Sequence, residues 1–394
     1  MPLATSLALG LGGCGTLIPR NGIADAKVQQ KAVVSGLPGV RLWGDEIPGN
    51  LRAAVTQQMS PGVLPATVRD AATGRLRVDI LALSGGGQDG VFGAGLLAGW
   101  SQRGDRPKFQ VVTGVSAGAL VAPFAFLGPS YDAQLKRIWT EYKTADVAVL
   151  QLLPGLLGGA SLVDTSQLEA LVAQYVDRRM MRAIAAEFKK GRLLLIGTTN
   201  LDAQRPVVWN IGAIAASGHP EALDLIRKVL LASAAVPGAF KPVSIEVEAG
   251  GNVYEELHVD GGTTRELFVA PFPVPYRAYD QFYPERPLRR IFVVKNGKLN
   301  PEPDVVPAQT IPIAGRAITT LTKYQSLGDI YKIYRLAGDD GADFNLIAEP
   351  PDFAAEANEA LDPKYQTALF EAGYKLGLAG GPWMKKPPEI RAGR

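Results

Sequence analysis

From residue 76 onward, apolar and polar positions fall into two kinds of run. Short stretches rich in branched residues, closed by glycine or polar clusters, predict buried strands over 77–83, 109–113, 193–197, 207–211, 255–259 and 290–294. Between them, apolar residues recur at helical spacing over 91–102, 117–127, 131–142, 165–175, 178–189 and 221–234, the last ending before Pro237. Strands and helices alternating in this way predict an α/β fold of three layers, α/β/α, around a mostly parallel central sheet. Sites on such sheets lie at the carboxyl ends of the strands.

The flanks read differently. Residues 15–75 mix Pro, Gly, Ala and Gln with weak periodicity, which predicts a tether and a segment wrapping the domain; within it Val40 to Gly44 looks ordered, because Trp43 needs a surface to pack on. Beyond residue 284, amphipathic helices are predicted over 320–334 and 364–376. Tyr324, Ile330, Tyr331, Tyr334, Phe370 and Tyr374 are their candidate contacts, serving the core or shaping a pocket or a lid. Trp383 reads as an anchor or as packing. The expected division is a signal segment over 1–14, the tether and wrap over 15–75, a catalytic domain over 76–275 and a C-terminal extension packed on it over 276–394.

Composition narrows the chemistry. A net charge of +3 gives no nucleic-acid footprint and no strong attraction to anionic membranes. No apolar run is long enough to span a bilayer as a helix. The single cysteine, Cys14, rules out an internal disulfide and a zinc or redox site built on cysteines. It ends the apolar stretch Leu3 to Gly13, and Leu11-Gly12-Gly13-Cys14 is similar to the lipobox of bacterial lipoproteins, whose cysteine carries diacylglycerol. That resemblance implies a lipid-anchored protein of the bacterial cell envelope, in the periplasm or outer membrane. No Lys or Arg precedes the stretch, as a basic n-region requires; the alternative is an apolar tail on a cytoplasmic protein.

Three motifs stand at ends of predicted strands. Gly114-Val115-Ser116-Ala117-Gly118 is G-x-S-x-G between a strand and a helix, the setting of a serine held on a strained turn with its hydroxyl presented. Taken alone, the pattern also fits a plain βα turn. Ser84-Gly85-Gly86-Gly87-Gln88-Asp89-Gly90 follows the first strand. Gly85, Gly87 and Gly90 satisfy G-x-G-x-x-G, but the second strand lacks the acidic end that a dinucleotide site needs, and no Lys-Ser/Thr pair marks a phosphate loop. Nucleotide binding is therefore not expected. Bare N–H groups of Gly85, Gly86 and Gly87, set beside Ser116 by adjacent parallel strands, would form an oxyanion hole. Asp260-Gly261-Gly262 closes a third strand with a carboxylate on a turn free of side-chain cover. Only two histidines exist, His219 and His258. Neither follows Asp260, as the order serine, acid, histidine would require. His258 shares a predicted strand with Asp260 and is a candidate second-shell group or, alternatively, a base.

The glycine loop, G-x-S-x-G and Asp-Gly-Gly, in this order on an α/β pattern, resemble the patatin-like phospholipase family over residues 78–272. Gly197 to Asp202 and Ala232 to Pro242 resemble it more weakly. The resemblance implies a serine acyl-hydrolase cleaving ester bonds of phospholipids or other acyl lipids, with Ser116 as nucleophile, Asp260 as base and no metal or other cofactor. It implies a lipid substrate and a membrane surface as partners, and no nucleic acid or nucleotide. One position departs: where the family commonly has Arg or Lys in the loop, this chain has Asp89, which puts phosphate recognition there in doubt. Two alternatives stay open: an esterase using His258, and a catalytically inactive lipid-binding lipoprotein.

Overall fold

The computed structural model of the protein describes residues 20–146, 149–150, 163–359 and 361–388. The apolar stretch ending at Cys14 lies outside the described residues. One sheet is built from β1 (Val33–Val34), β2 (Arg41–Trp43), β3 (Val68–Arg69), β4 (Leu76–Leu83) and β5 (Val111–Val115), followed, after a separate ribbon of β6 (Val149–Leu150) and β7 (Val163–Asp164), by β8 (Leu193–Asn200), β9 (Arg205–Asn210), β10 (Val243–Ala249), β11 (Asn252–Asp260), β12 (Leu288–Lys295) and β13 (Asp343–Ala348). Its centre, in the order β8-β5-β4-β12-β13, is parallel.

Alternate residues of the central strands feed two cores, which makes the fold three-layered. Leu81, Leu83, Val112, Leu194, Ile196 and Val294 face the layer of helices Gly90–Arg103, Ala117–Leu127, Ala222–Ser233 and Pro363–Ala379. Ile80, Ala82, Ile291 and Val293 face the helix Thr310–Asp340 through Ile330, Ile333 and Ala337. All eight residues of β8 are buried. A strand covered on both faces loses its period-two alternation, so it reads as a continuous apolar run.

The antiparallel part follows from a hairpin. β10 and β11 are joined at Gly250-Gly251, both with positive φ (59° and 80°), which two residues in a tight hairpin turn require. β11 then runs back against β8. β10, absent from the strands predicted above, alternates exposed glutamates with buried Ile245, Val247 and Ala249, a period-two signal.

Short strands from the first described residues extend the sheet, β1 on β10, β2 on β9 and β3 on β4. Trp43 finds its partners in two guanidinium groups, Arg205 at 4.3 Å and Arg41 at 5.4 Å from the ring. Trp383 packs, with its ring 5.1 Å from Trp100 and 5.2 Å from Phe292.

The 363–379 helix crosses the 90–103 helix at backbone contact. A Cβ on Gly95 would stand 2.1 Å from the Phe370 carbonyl oxygen, on Gly99 2.0 Å from that of Tyr374, and on Gly377 2.2 Å from that of Leu96. Glycines four apart on both helices clear the crossing. This contact fixes the start of the last helix over the loop that follows β4.

Candidate active site

Ser116 and Asp260 come together because two strands meet head-on along one edge of β8. β5 runs parallel to β8 and ends with Val115 opposite Gly197. β11 approaches antiparallel and ends with Asp260 opposite Thr198. The other edge of β8 is taken over this stretch by β9, so β5 and β11 share the remaining edge, and their ends abut.

The turn at Ser116 is strained, with φ 54° and ψ −126° in a residue that carries a Cβ. Its backbone N–H donates to Ser233 Oγ at 3.0 Å, and that hydroxyl donates in turn to the Gly197 carbonyl at 2.6 Å. One side chain of the 222–233 helix therefore ties the elbow to β8. The flanking glycines permit the turn: a Cβ on Gly114 would lie 2.5 Å from the Gly118 carbonyl oxygen, and one on Gly118 2.4 Å from that of Leu83. Ala117 begins the helix, so its free N–H and the positive end of the helix dipole face the serine.

The loop after β4 lies against Ser116 through Gly85, where a Cβ would come within 3.0 Å of the serine Cβ. Gly86 and Gly87 have φ of 150° and 56°. Their N–H groups, like that of Ala117, meet no protein acceptor among the described residues, whereas the Gly85 amide bears on the Glu266 carboxylate. Asn296, fully buried past the end of β12, props the loop: its Nδ2 donates to the Ser84 carbonyl at 2.7 Å and its Oδ1 accepts the Gly93 N–H at 3.1 Å. Gly90 closes the loop beneath Trp139 and Ala117.

Asp260 is buried at the head of its turn. Oδ1 accepts the Gly262 N–H at 2.8 Å. Oδ2 has no hydrogen-bond partner among the described residues, and the carboxyl lies close enough to Ser116 for the hydroxyl to pull its pKa down. Burial, reinforced by the negative charge of Glu266, outweighs that pull and pushes the Asp260 pKa up to about 7. Gly261 and Gly262 give the turn its closeness: a Cβ would lie 2.6 Å from the Gly197 carbonyl oxygen in one case and 2.1 Å from Glu266 Oε1 in the other. Such an arrangement places a strained hydroxyl beside a carboxylate poised near neutrality, with unused N–H donors on the adjacent loop.

A buried charge cluster stands behind the loop. Asp89 lies against the last helix, accepting the Tyr365 hydroxyl at 2.7 Å, and burial raises its pKa against the opposing effects of that bond and of Lys295. The Lys295 amine is buried and its pKa is lowered, opposed by the charges of Glu266, Asp89 and Glu349. It donates to the Asn296 carbonyl at 2.5 Å. Asp329 of the 310–340 helix accepts the N–H groups of Glu266 and Leu267 at 2.8 and 3.2 Å, holding the chain just past Asp260.

His258 is fully buried. Its Nδ1 pairs with Thr198 Oγ1 at 3.0 Å and its Nε2 with Glu256 at 3.3 Å, while its ring stands edge-on to Trp209 at 5.4 Å. Burial lowers its pKa. Both nitrogens are thus engaged on the flank of β8, and Glu256 also pairs with Arg41.

Two cavities meet at Ser116. One, of about 570 Å³, is walled by Leu120, Ile138, Trp139, Leu168, Leu171 and Phe240. The other, of about 510 Å³, is a cleft of mixed lining, more polar than the first, that holds Asp260, Glu266, Lys295, Lys298, Glu302 and Lys323 beside Val236, Ile318 and Leu321. Sequence reasoning missed Glu266, Lys295, Asn296 and Asp329, which carry no motif; the carboxyl end of the 290–294 run was the available signal for the middle two. Ser233 lay unremarked inside the Ala232 to Pro242 stretch.

None of the curated proteins matches the chain. Among solved structures, VipD from Legionella pneumophila is similar at 11% identity and a TM-score of 0.35, over 80% of this chain and 70% of that one. The family model described as patatin-like phospholipase matches residues 81–276, from within β4 through Ser116 and past Asp260. Residues 81–276, which carry the α/β fold and both of the residues that meet at the edge of β8, are a patatin-like phospholipase domain.

Proposed function

We propose that the protein hydrolyses carboxylic ester bonds of phospholipids or other acyl lipids, with Ser116 as nucleophile and Asp260 as its base. The observation that carries this reading is the head-on meeting of β5 and β11, which sets the Ser116 hydroxyl against the Asp260 carboxylate where an apolar cavity opens into a more polar cleft. An acyl chain fits the apolar side and the alcohol portion of the ester the more polar side.

Asp260 accepts the hydroxyl proton as Ser116 Oγ attacks the ester carbonyl, and a pKa near 7 leaves the carboxylate basic enough to take that proton and acidic enough to return it. The N–H groups of Gly86, Gly87 and Ala117 are the free donors for the developing oxyanion, with Gly85 packed beneath them. The alcohol leaves with the proton from Asp260, and an acyl-Ser116 ester remains. Asp260 then takes a proton from water, the hydroxide cleaves the acyl ester, and Ser116 recovers the proton as the fatty acid departs. His258 has no part in these steps, since both its nitrogens are engaged elsewhere.

The test is hydrolysis of a soluble p-nitrophenyl ester and of a phospholipid by the protein and by Ser116→Ala and Asp260→Asn. Each variant is expected to lose activity on both substrates while remaining folded, and His258→Ala to keep turnover in whatever fraction folds. Full activity in either of the first two would overturn the dyad. Lipidation of Cys14 would hold this domain at an envelope membrane, and incorporation of labelled palmitate by the protein but not by Cys14→Ser is its check.

A further inference from the structure

The 310–340 helix changes character halfway along its length. From Ser326 onward it buries Asp329, Ile330, Ile333 and Ala337 against the sheet, while its outward side carries Lys332, Arg335 and Asp339. Before Ser326 the outward side is apolar. At about 100° per residue, Ile313, Ala317, Leu321 and Tyr324 form one stripe, roughly half a turn away from the buried one. Ile313, Leu321 and Tyr324 are 52%, 69% and 63% exposed. They are three of the 13 large hydrophobic side chains standing exposed among the described residues; Ile311 and Ile318 stand exposed on another side of the same helix. Scattered exposed hydrophobics need no explanation, but a contiguous cluster marks a surface that meets something apolar.

The chemistry around the stripe selects the occupant. No Asp or Glu occurs from 305 to 328. The two cations in that stretch are engaged at Glu302, Arg316 with its carbonyl and Lys323 with its carboxylate, the latter at 2.8 Å. The hydroxyls of Thr319, Thr320 and Thr322 bond back to carbonyls of their own helix. The stripe also adjoins the cleft of Ser116 and Asp260, because Ile318 and Leu321 are part of the cleft wall. Among the described residues no helix is long and apolar enough to cross a membrane, so this helix would lie on a bilayer rather than span it.

We propose that the outward face of residues 310–324 docks the protein on a lipid bilayer with neutral or zwitterionic head groups, so that the mouth of the cleft faces the lipid. Docking here is driven by apolar burial and not by charge, since the stripe holds no charged residue and the two cations of the segment turn to Glu302. That the surface is the one bearing the substrate rests on the acyl-lipid reading above; the docking itself does not depend on turnover.

The experiment is flotation of Ser116→Ala protein with phosphatidylcholine vesicles, alone and with Ile313→Asp and Tyr324→Asp added. Neither of these two residues lines the cleft. The parent is expected to float with vesicles, with a bound fraction little changed between low and high salt. Each Asp substitution is expected to lower vesicle affinity about tenfold or more, while Leu378→Asp, an exposed position on another helix, leaves it unchanged. In the active background, the Ile313 and Tyr324 variants should keep soluble-ester hydrolysis and lose hydrolysis of vesicle lipid. Failure of the parent to bind, equal binding by all variants, or self-association abolished by the same substitutions without any vesicle binding would each overturn the proposal. Loss of soluble-ester hydrolysis in the unmodified protein would instead count against the catalytic reading alone.

Discussion

Asp260→Asn should make this protein more stable while destroying its activity, and the gain should depend on pH. Asp260 has an ordinary carboxyl value of 3.8 when unfolded and about 7 when folded. A raised carboxyl pKa means that the folded state holds the proton more tightly than the unfolded chain. Between those two values the folded state binds more protons, so stability falls as pH rises through the window, and the whole cost is present above pH 7. At roughly 1.4 kcal/mol per pH unit, a gap of about three units amounts to about 4 kcal/mol at pH 8 and about 2 kcal/mol at pH 5. Asparagine cannot ionise, and its amide oxygen can keep the bond to the Gly262 N–H. Urea unfolding of the protein and of Asp260→Asn should therefore show the variant more stable by up to about 4 kcal/mol at pH 8, shrinking by roughly 2–3 kcal/mol at pH 5. A variant no more stable than the parent at pH 8, or equally stabilised at both pH values, would refute the claim that Asp260 is held ionised at a cost. The same titration sets the activity: kcat/KM should fall on acidification below about pH 7, as the carboxylate takes up its proton.

Glu266→Gln removes the negative charge that helps raise the Asp260 pKa, so the acid limb of the pH–rate profile should move to lower pH; an unmoved limb would show that burial alone sets the value. Ser233→Ala leaves the Ser116 N–H buried without its acceptor, and a loss of about 1–3 kcal/mol in unfolding free energy, with slower labelling by a fluorophosphonate, is expected. Gly99→Val drives a side chain into the Tyr374 carbonyl; it should cost about 3 kcal/mol or more by urea unfolding and weaken the hold of the last helix on the loop at Asp89.

Much of the architecture was legible in the chain because its signals are local. Buried strands covered on both faces, such as β8, announce themselves as apolar runs, and G-x-S-x-G between a strand and a helix fixes a turn whose glycines have only one close-packed solution. The site's two poles were visible for the same reason, since Ser116 and Asp260 each sit in a short glycine-marked turn. Longer-range features left no such mark. β10 is absent from the predicted strands although its alternation is present, and the 310–340 helix extends well beyond the amphipathic stretch over 320–334, because its first half shows its apolar side outward. Asp89 puts phosphate recognition by the loop in doubt; in the fold it is a half-buried carboxylate that accepts the Tyr365 hydroxyl and feels the charge of Lys295, residues more than 200 positions away.

The sequence by itself determined which groups are candidates for the chemistry and the conformations of the turns that present them, because backbone strain and glycine are local matters. Tertiary structure decided how those groups act on one another. The pairing of two strand ends on one edge of β8, the pKa of Asp260 and the tie from Ser233 all depend on contacts between distant segments. Burial and Coulombic coupling depend on what surrounds a side chain in space, and a linear pattern does not contain that information.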